Sequence, residues 1–214
     1  MYDEEPDFEA AVEVLRARDA SIRRLIDRVG PCTLEARDMH SPFEALLRSI
    51  VYQQLSGKAA GTIYGRLLDA FPGPGGPDPS ELIDAPVELL RSVGLSRNKA
   101  RAAQDLAAKT LDGTVPATLD DLRQLSDEDI IGRLTQVRGI GPWTVQMLLM
   151  FNLLRPDVLP ATDLGVQKGA QFTYGLAERP TPKVLLTIGE AWRPYRTVAS
   201  WYMWRATELD WAGQ

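Results

Sequence analysis

Two features of this chain could do chemistry: a glycine-rich turn, Val137-Arg138-Gly139-Ile140-Gly141-Pro142-Trp143-Thr144, and a carboxylate nineteen residues beyond it, Asp163. Gly139 and Gly141 permit a tight turn and put no side chain between the backbone and a ligand. Pro142 suits the first position of a helix, because its missing N–H would have been unpaired there anyway. The unpaired N–H groups and the dipole of a helix that starts at Pro142 suit a phosphate, and Thr144 could add a hydroxyl donor. Asp163, beside Thr162 at a helix start, reads in isolation as an N-cap.

The rest of the composition narrows the chemistry. Cys32 is the single cysteine and His40 the single histidine, so disulfides, four-cysteine metal or iron–sulfur sites and multi-histidine metal sites are excluded. Any catalysis must fall to carboxylates, hydroxyls, lysines or a backbone-bound ion. The 214 residues are 44% hydrophobic and 25% charged, the composition of a water-soluble folded chain of one ordinary domain or two small ones. No apolar run is long enough to span a bilayer, and the acidic N-terminus lacks a signal-peptide core; the expected location is the cytoplasm. Net charge is −5, which by itself disfavours nucleic acid. Its distribution does not: residues 91–109 carry five bases and one acid, and residues 130–156 carry three arginines and no acid. Two local basic stretches could form an anion-binding face or be solvated helix faces.

The elements that must position these residues read as helical nearly throughout, with apolar residues at i, i+3, i+4 spacing and few alternating runs. One helix is predicted over Phe8–Val29. Ser41-Pro42-Phe43-Glu44 is a capping signal for the next, interrupted near Ser56 or Gly57 and resumed to about Phe71. Residues 72–79 form a Pro/Gly loop. Short helices are expected near 80–84 and 86–93, then a longer one from 97 to 112 capped by Ser96. Thr118 and Ser126 precede two more. Another runs from about Pro142 to Leu154, one begins after Thr162, and Pro182 and Pro194 open the last two.

The segment Leu134-x-x-Val-x-Gly-Ile-Gly-x-Trp-Thr144, followed by Leu159-Pro-Ala-Thr-Asp-Leu-Gly-Val166, resembles the helix–hairpin–helix DNA glycosylase superfamily, and within it the alkylation-repair branch typified by 3-methyladenine DNA glycosylase II. The resemblance extends from Ser41 to Trp211. It implies an all-α fold of two helical subdomains, 43–154 with the hairpin and 1–42 plus 155–214, with an active-site cleft between them. It implies a DNA repair enzyme that hydrolyses the N-glycosidic bond of alkylated bases, with Asp163 as the catalytic carboxylate. Lysine stands at position 143 in members that also cleave the strand; Trp143 here implies a monofunctional enzyme that leaves an abasic site.

Further roles follow from the same resemblance. Gly139, Gly141, Thr144, Ser96 and Lys99 would contact DNA phosphates. Carbonyls of Thr135, Val137 and Ile140 would hold a monovalent cation, Na or K, with no other cofactor required. Trp143, Trp204, Tyr52 and Gln54 would surround the flipped base, and Leu55 would be the wedge that fills the gap in the stack. Trp192 and Trp201 are expected in the core. Met147, one turn after Trp143, stands where some members have an aromatic residue. The expected partner is double-stranded DNA with a damaged base flipped out, engaged by a monomer. A rival reading, a non-catalytic DNA-binding module, gives Asp163 no purpose, since a carboxylate facing phosphates gains nothing.

Overall fold

The computed structural model describes residues 7–72 and 76–211, so part of the Pro/Gly loop lies outside the described residues. Those residues form thirteen α-helices and one 3-10 turn, with no strand among them. None of the helices is long and apolar enough to cross a membrane. The chain divides into two compact units: Arg37–Leu148, and the stretch up to Ala36 together with Leu149 onward.

The first unit holds α3 (Pro42–Tyr52), α4 (Gly57–Ala70), α5 (Pro79–Asp84), α6 (Val87–Ser92), α7 (Arg97–Leu111), α8 (Leu119–Arg123), α9 (Asp127–Leu134) and most of α10 (Pro142–Phe151). The starts are set locally: the side chains of Ser41, Ser56, Asp78, Ser96, Thr118 and Ser126 each accept a backbone N–H of their own first turn. Helix α7 packs on α3, α5 and α6. Its Ala100, Ala103, Leu106 and Ala107 are fully buried with Leu46, Ile50, Leu82 and Leu90. Small residues on α7 let three neighbours approach it closely.

The second unit holds α1 (Phe8–Arg18), α2 (Ala20–Val29), α11 (Leu164–Tyr174), α12 (Pro182–Gly189), the 3-10 turn Glu190–Trp192 and α13 (Arg196–Ala206). The helix expected over Phe8–Val29 is two helices. Asp19 ends α1, and its Oδ1 accepts the N–H groups of Ser21 and Ile22, so it caps α2. Its Oδ2 accepts the Tyr174 hydroxyl, which in turn accepts the indole N–H of Trp192. Burial first, and the Asp19 carboxylate second, push the Tyr174 phenol upward in pKa. Two further boundaries differ from expectation. Helix α10 ends at Phe151, because Leu154 adopts a left-handed backbone and the Arg155 N–H returns to the Leu149 carbonyl. Pro194 lies ahead of α13 in a turn, where the Tyr195 N–H bonds to the Trp192 carbonyl.

Helices α11 and α13 form the most extensive pair in this unit. At Gly169 a Cβ would stand 1.9 Å from the backbone oxygen of Met203, so the helices meet main chain to main chain. By contrast, a Cβ on Gly65 of α4 meets nothing within 4 Å. Gly169→Ala should therefore cost about 3 kcal/mol, at the upper end of overpacking penalties, while Gly65→Ala should gain roughly 0.5–1 kcal/mol from backbone entropy. Urea unfolding of the two variants beside the parent checks both signs.

Candidate active site

Asp163 is the N-cap of α11. Its Oδ1 accepts the Val166 N–H at 2.8 Å, and the same oxygen accepts the Trp204 indole N–H at 2.9 Å. The cap and the candidate catalyst are one group. Trp204 stacks on Phe151, ring centroids 5.6 Å apart and planes inclined by 27°. The indole reaches the carboxylate only because residue 165 is glycine: a Cβ there would stand 2.7 Å from Trp204 Cδ1 and 3.1 Å from Asp163 Oδ1.

The loop that delivers Asp163 is pinned from both sides. The Asp157 carboxylate pairs with Arg193 at 2.6 Å and with Arg196 at 2.6 Å, and the Arg196 guanidinium also donates to the Asp157 carbonyl. Thr197 donates its hydroxyl to the Arg155 carbonyl and accepts the Val158 N–H. Gln167, on α11, donates to the Ala161 carbonyl at 2.8 Å. Asp163 N–H closes a turn onto the Pro160 carbonyl. A cross-linked loop feeding a capped helix gives the carboxylate a definite place.

In the first unit the hairpin turn joins α9 to α10. Val137 and Ile140 are buried anchors, and the Ile140 N–H donates to the Val137 carbonyl at 3.0 Å. Gly139 has φ +78°, a conformation that favours glycine. Gly141 has no such φ, and a Cβ on it would meet nothing within 4 Å. The fold alone does not require glycine at 141; close approach of a ligand would. Among the described residues the N–H groups of Gly139 and Gly141 take no backbone acceptor, which leaves two donors beside a helix N-terminus. The turn is braced by Asp105, whose Oδ2 accepts the Arg138 N–H at 2.7 Å, and by Gln53, whose amide donates to the Gly139 carbonyl at 2.8 Å.

The donor set of Thr135, Val137 and Ile140 suits a hard monovalent cation, being neutral carbonyl oxygen throughout. The Val137 carbonyl serves the turn as well, while those of Thr135 and Ile140 take no backbone N–H among the described residues.

The other sequence-predicted residues sort by exposure. Trp143 is 43% exposed and Leu55 40% exposed, both large apolar groups presented to solvent. Gln54 is exposed, with a left-handed backbone. Ser96 is exposed and caps α7. Three of these residues are engaged within their own unit. Thr144 is buried, 6% exposed, so its hydroxyl is not a surface donor for phosphate; its N–H closes the turn on the Gly141 carbonyl. Lys99 spends its ammonium on the carbonyls of Val51 and Gln53, at 2.8 and 2.7 Å. Tyr52 carries the Arg48 guanidinium over its ring at 4.0 Å and meets Tyr64 edge-on, so its ring is engaged within its own unit. Trp192 and Trp201 are buried as expected. Phe151, Gly165, Gln53 and Asp105 carry site geometry that the sequence reading did not single out.

Comparison with known proteins agrees with this geometry. The family model described as HhH-GPD superfamily base excision DNA repair protein matches residues 47–194. DNA-3-methyladenine glycosylase 1 of Schizosaccharomyces pombe is 37% identical over 196 residues, 91% of this chain and 86% of that protein. Among solved structures, the S. pombe 3-methyladenine DNA glycosylase in complex with abasic DNA superposes with a TM-score of 0.82 at 36% identity, covering 94% of this chain and 97% of that one. A DNA-3-methyladenine glycosidase from Bacillus halodurans gives a TM-score of 0.82 at 35% identity, covering 96% and 90%.

The double duty of Asp163 separates fold from chemistry in a measurable way. Asp163→Asn keeps an acceptor oxygen for both donors, so its unfolding free energy should stay within about 0.5 kcal/mol of the parent. Asp163→Ala removes the cap and should cost about 1 kcal/mol. Thermal or urea unfolding of the pair makes the comparison.

Proposed function

The chain belongs to the HhH-GPD superfamily of base excision DNA repair proteins, and from that membership we propose that it is a monofunctional DNA glycosylase for alkylated bases of the 3-methyladenine type. The observation that carries the reading is Asp163, a carboxylate fixed by Val166 and Trp204 on a pinned loop. Cleaving an N-glycosidic bond builds positive charge on the sugar. A fixed carboxylate stabilises that charge without reorganising, and it orients or deprotonates the attacking water. The water oxygen bonds to the anomeric carbon, the base departs with the bonding pair, and an abasic site remains.

An alkylated purine such as 3-methyladenine already carries positive charge, so it departs with little help from a general acid. That suits a chain whose only histidine, His40, is remote in sequence from Asp163. Position 143 is tryptophan, and an indole cannot form the Schiff base that strand cleavage requires. Its exposed ring would suit stacking against an electron-poor base, and so, separately, would the half-buried indole of Trp204. Gln54 would lie beside the flipped base and Leu55 would fill its place in the stack. The Gly139 and Gly141 N–H groups would hold a backbone phosphate, with Ser96 at a second one. A monovalent cation held by the carbonyls of Thr135, Val137 and Ile140 would add positive charge where the side chains supply little. The partner is duplex DNA, engaged by a single copy of the chain.

Methylated duplex DNA incubated with the protein should release free methylated purine and accumulate abasic sites in equal amounts. Asp163→Asn should slow release at least about 100-fold, the scale for losing one fixed electrostatic group. No strand break should form until alkali is added, and borohydride should trap no protein–DNA adduct. Undiminished release by Asp163→Asn overturns the catalytic assignment; nicking without alkali overturns the monofunctional one.

A further inference from the structure

We propose that Lys99 and Gln53 are positioning residues that hold the Leu55 wedge in register with the Gly139 hairpin, using one face of α7 as a common template, and that Lys99 is not a phosphate contact. The proposal rests on the reading of Leu55 as a wedge.

The loop between α3 and α4 turns sharply at Gln54, whose φ of +56° is uncommon for a side-chain-bearing residue and has to be held by its surroundings. Leu55 stands next, 40% exposed. Two groups do the holding. The Lys99 ammonium donates to the carbonyls of Val51 and Gln53 at 2.8 and 2.7 Å. These lie at the C-terminal end of α3, where carbonyls lack helical partners and a cation is favoured by the dipole. Burial lowers the Lys99 pKa, as expected of an amine turned toward protein backbone. The Gln53 amide donates to the Gly139 carbonyl at 2.8 Å, which ties the same loop to the turn whose N–H groups face the phosphate.

Helix α7 supports both ends of this link. Lys99, Ala102 and Asp105 are spaced i, i+3, i+6 and so share one face. Lys99 holds the wedge loop. Ala102 Cβ lies 3.6 Å from where a Cβ of Gly139 would stand, and Asp105 accepts the Arg138 N–H at 2.7 Å. One rigid helix therefore sets the offset between the group that would grip the backbone and the group that would enter the stack. A wedge is useful only at a fixed distance from the gripped phosphate, and misplacement by about 1 Å is enough to cost orders of magnitude in rate.

The experiment compares the full chain with Lys99→Met, Gln53→Ala, Leu55→Ala and the Lys99→Met, Leu55→Ala double variant. Affinity for undamaged duplex is measured across a range of salt. Base opening is followed with 2-aminopurine placed beside a methylated purine, and excision under single turnover. Lys99→Met and Gln53→Ala should each slow opening and excision about 10-fold; Lys99→Met should leave affinity for undamaged DNA and its salt slope unchanged, and Gln53→Ala, which removes no charge, should leave the salt slope unchanged. Lys99→Met should cost nothing further when Leu55 is already alanine. A salt slope reduced by about 0.9 in Lys99→Met, or losses that add in the double variant, overturns the proposal in favour of a phosphate contact. Gln53→Ala, which removes no charge and only one amide, keeps the test available if Lys99→Met does not fold. Leu55→Ala with parental opening overturns the wedge reading and this proposal together. Opening is read by fluorescence and needs no bond cleavage, so failure of the proposed reaction remains distinguishable from failure of the coupling.

Discussion

One oxygen of Asp163 accepts two hydrogen bonds, and much of the second unit is arranged to keep both. The Val166 bond exists because Asp163 starts α11. The Trp204 bond exists because α13 runs close enough to α11 for an indole to reach across the helix start. That approach depends on two glycines of α11: Gly169, against the Met203 backbone, and Gly165, against the indole itself. The near end of α13 is fixed in turn by Thr197 and Arg196 on the loop at 155–158. Each contact is an ordinary hydrogen bond or van der Waals contact, and none is strong alone. Their connection is what gives a surface-accessible carboxylate a definite place, since moving any one of them moves the oxygen.

On the proposed reading the first unit would solve a different problem, that of gripping a polyanion from a chain of net charge −5. A lysine-rich face would supply long-range attraction, but it would also bind any duplex with equal strength. Backbone N–H groups at a turn offer short-range, directional donors with no net charge. They work only if the turn is stiff. Gly139 supplies the backbone conformation, Val137 and Ile140 anchor the turn through burial, and Asp105 and Gln53 fix the peptide before Arg138 and the peptide after Gly139. An acid thus sits close behind the anion-binding turn, where it braces the backbone by accepting the Arg138 N–H.

What could be read from the sequence follows from range. Ser41, Ser96, Thr118 and Ser126 are legible as helix starts because a cap acts within one turn. The hairpin and Asp163 were legible from residue types at short, fixed spacing. Periodicity alone misled at Phe8–Val29, since the apolar pattern continues through Asp19 while that side chain ends one helix and starts another. The bond from Trp204 to Asp163 spans forty-one residues and obeys no period. Gln53 and Gln54 are chemically identical in the sequence, and only the left-handed backbone at Gln54 decides which amide turns to the hairpin. Lys99 was legible as a cation but not as one already spent on carbonyls, because sequence records charge and not the partner that takes it.

The substrate class suits what the Asp163 site supplies. Its fixed groups include a carboxylate oxygen, a backbone N–H and an indole N–H, with Phe151 stacked on the indole. None of the last three is an acid able to protonate a departing base near neutral pH. A neutral purine leaving as an anion would have to be stabilised by a further group. A purine that is alkylated on a ring nitrogen leaves as a neutral molecule, and the charge that remains to be stabilised is on the sugar, where one carboxylate suffices. The same cation is drawn to the face of an indole. A held carboxylate is thereby matched to a base whose own charge performs the part of an acid.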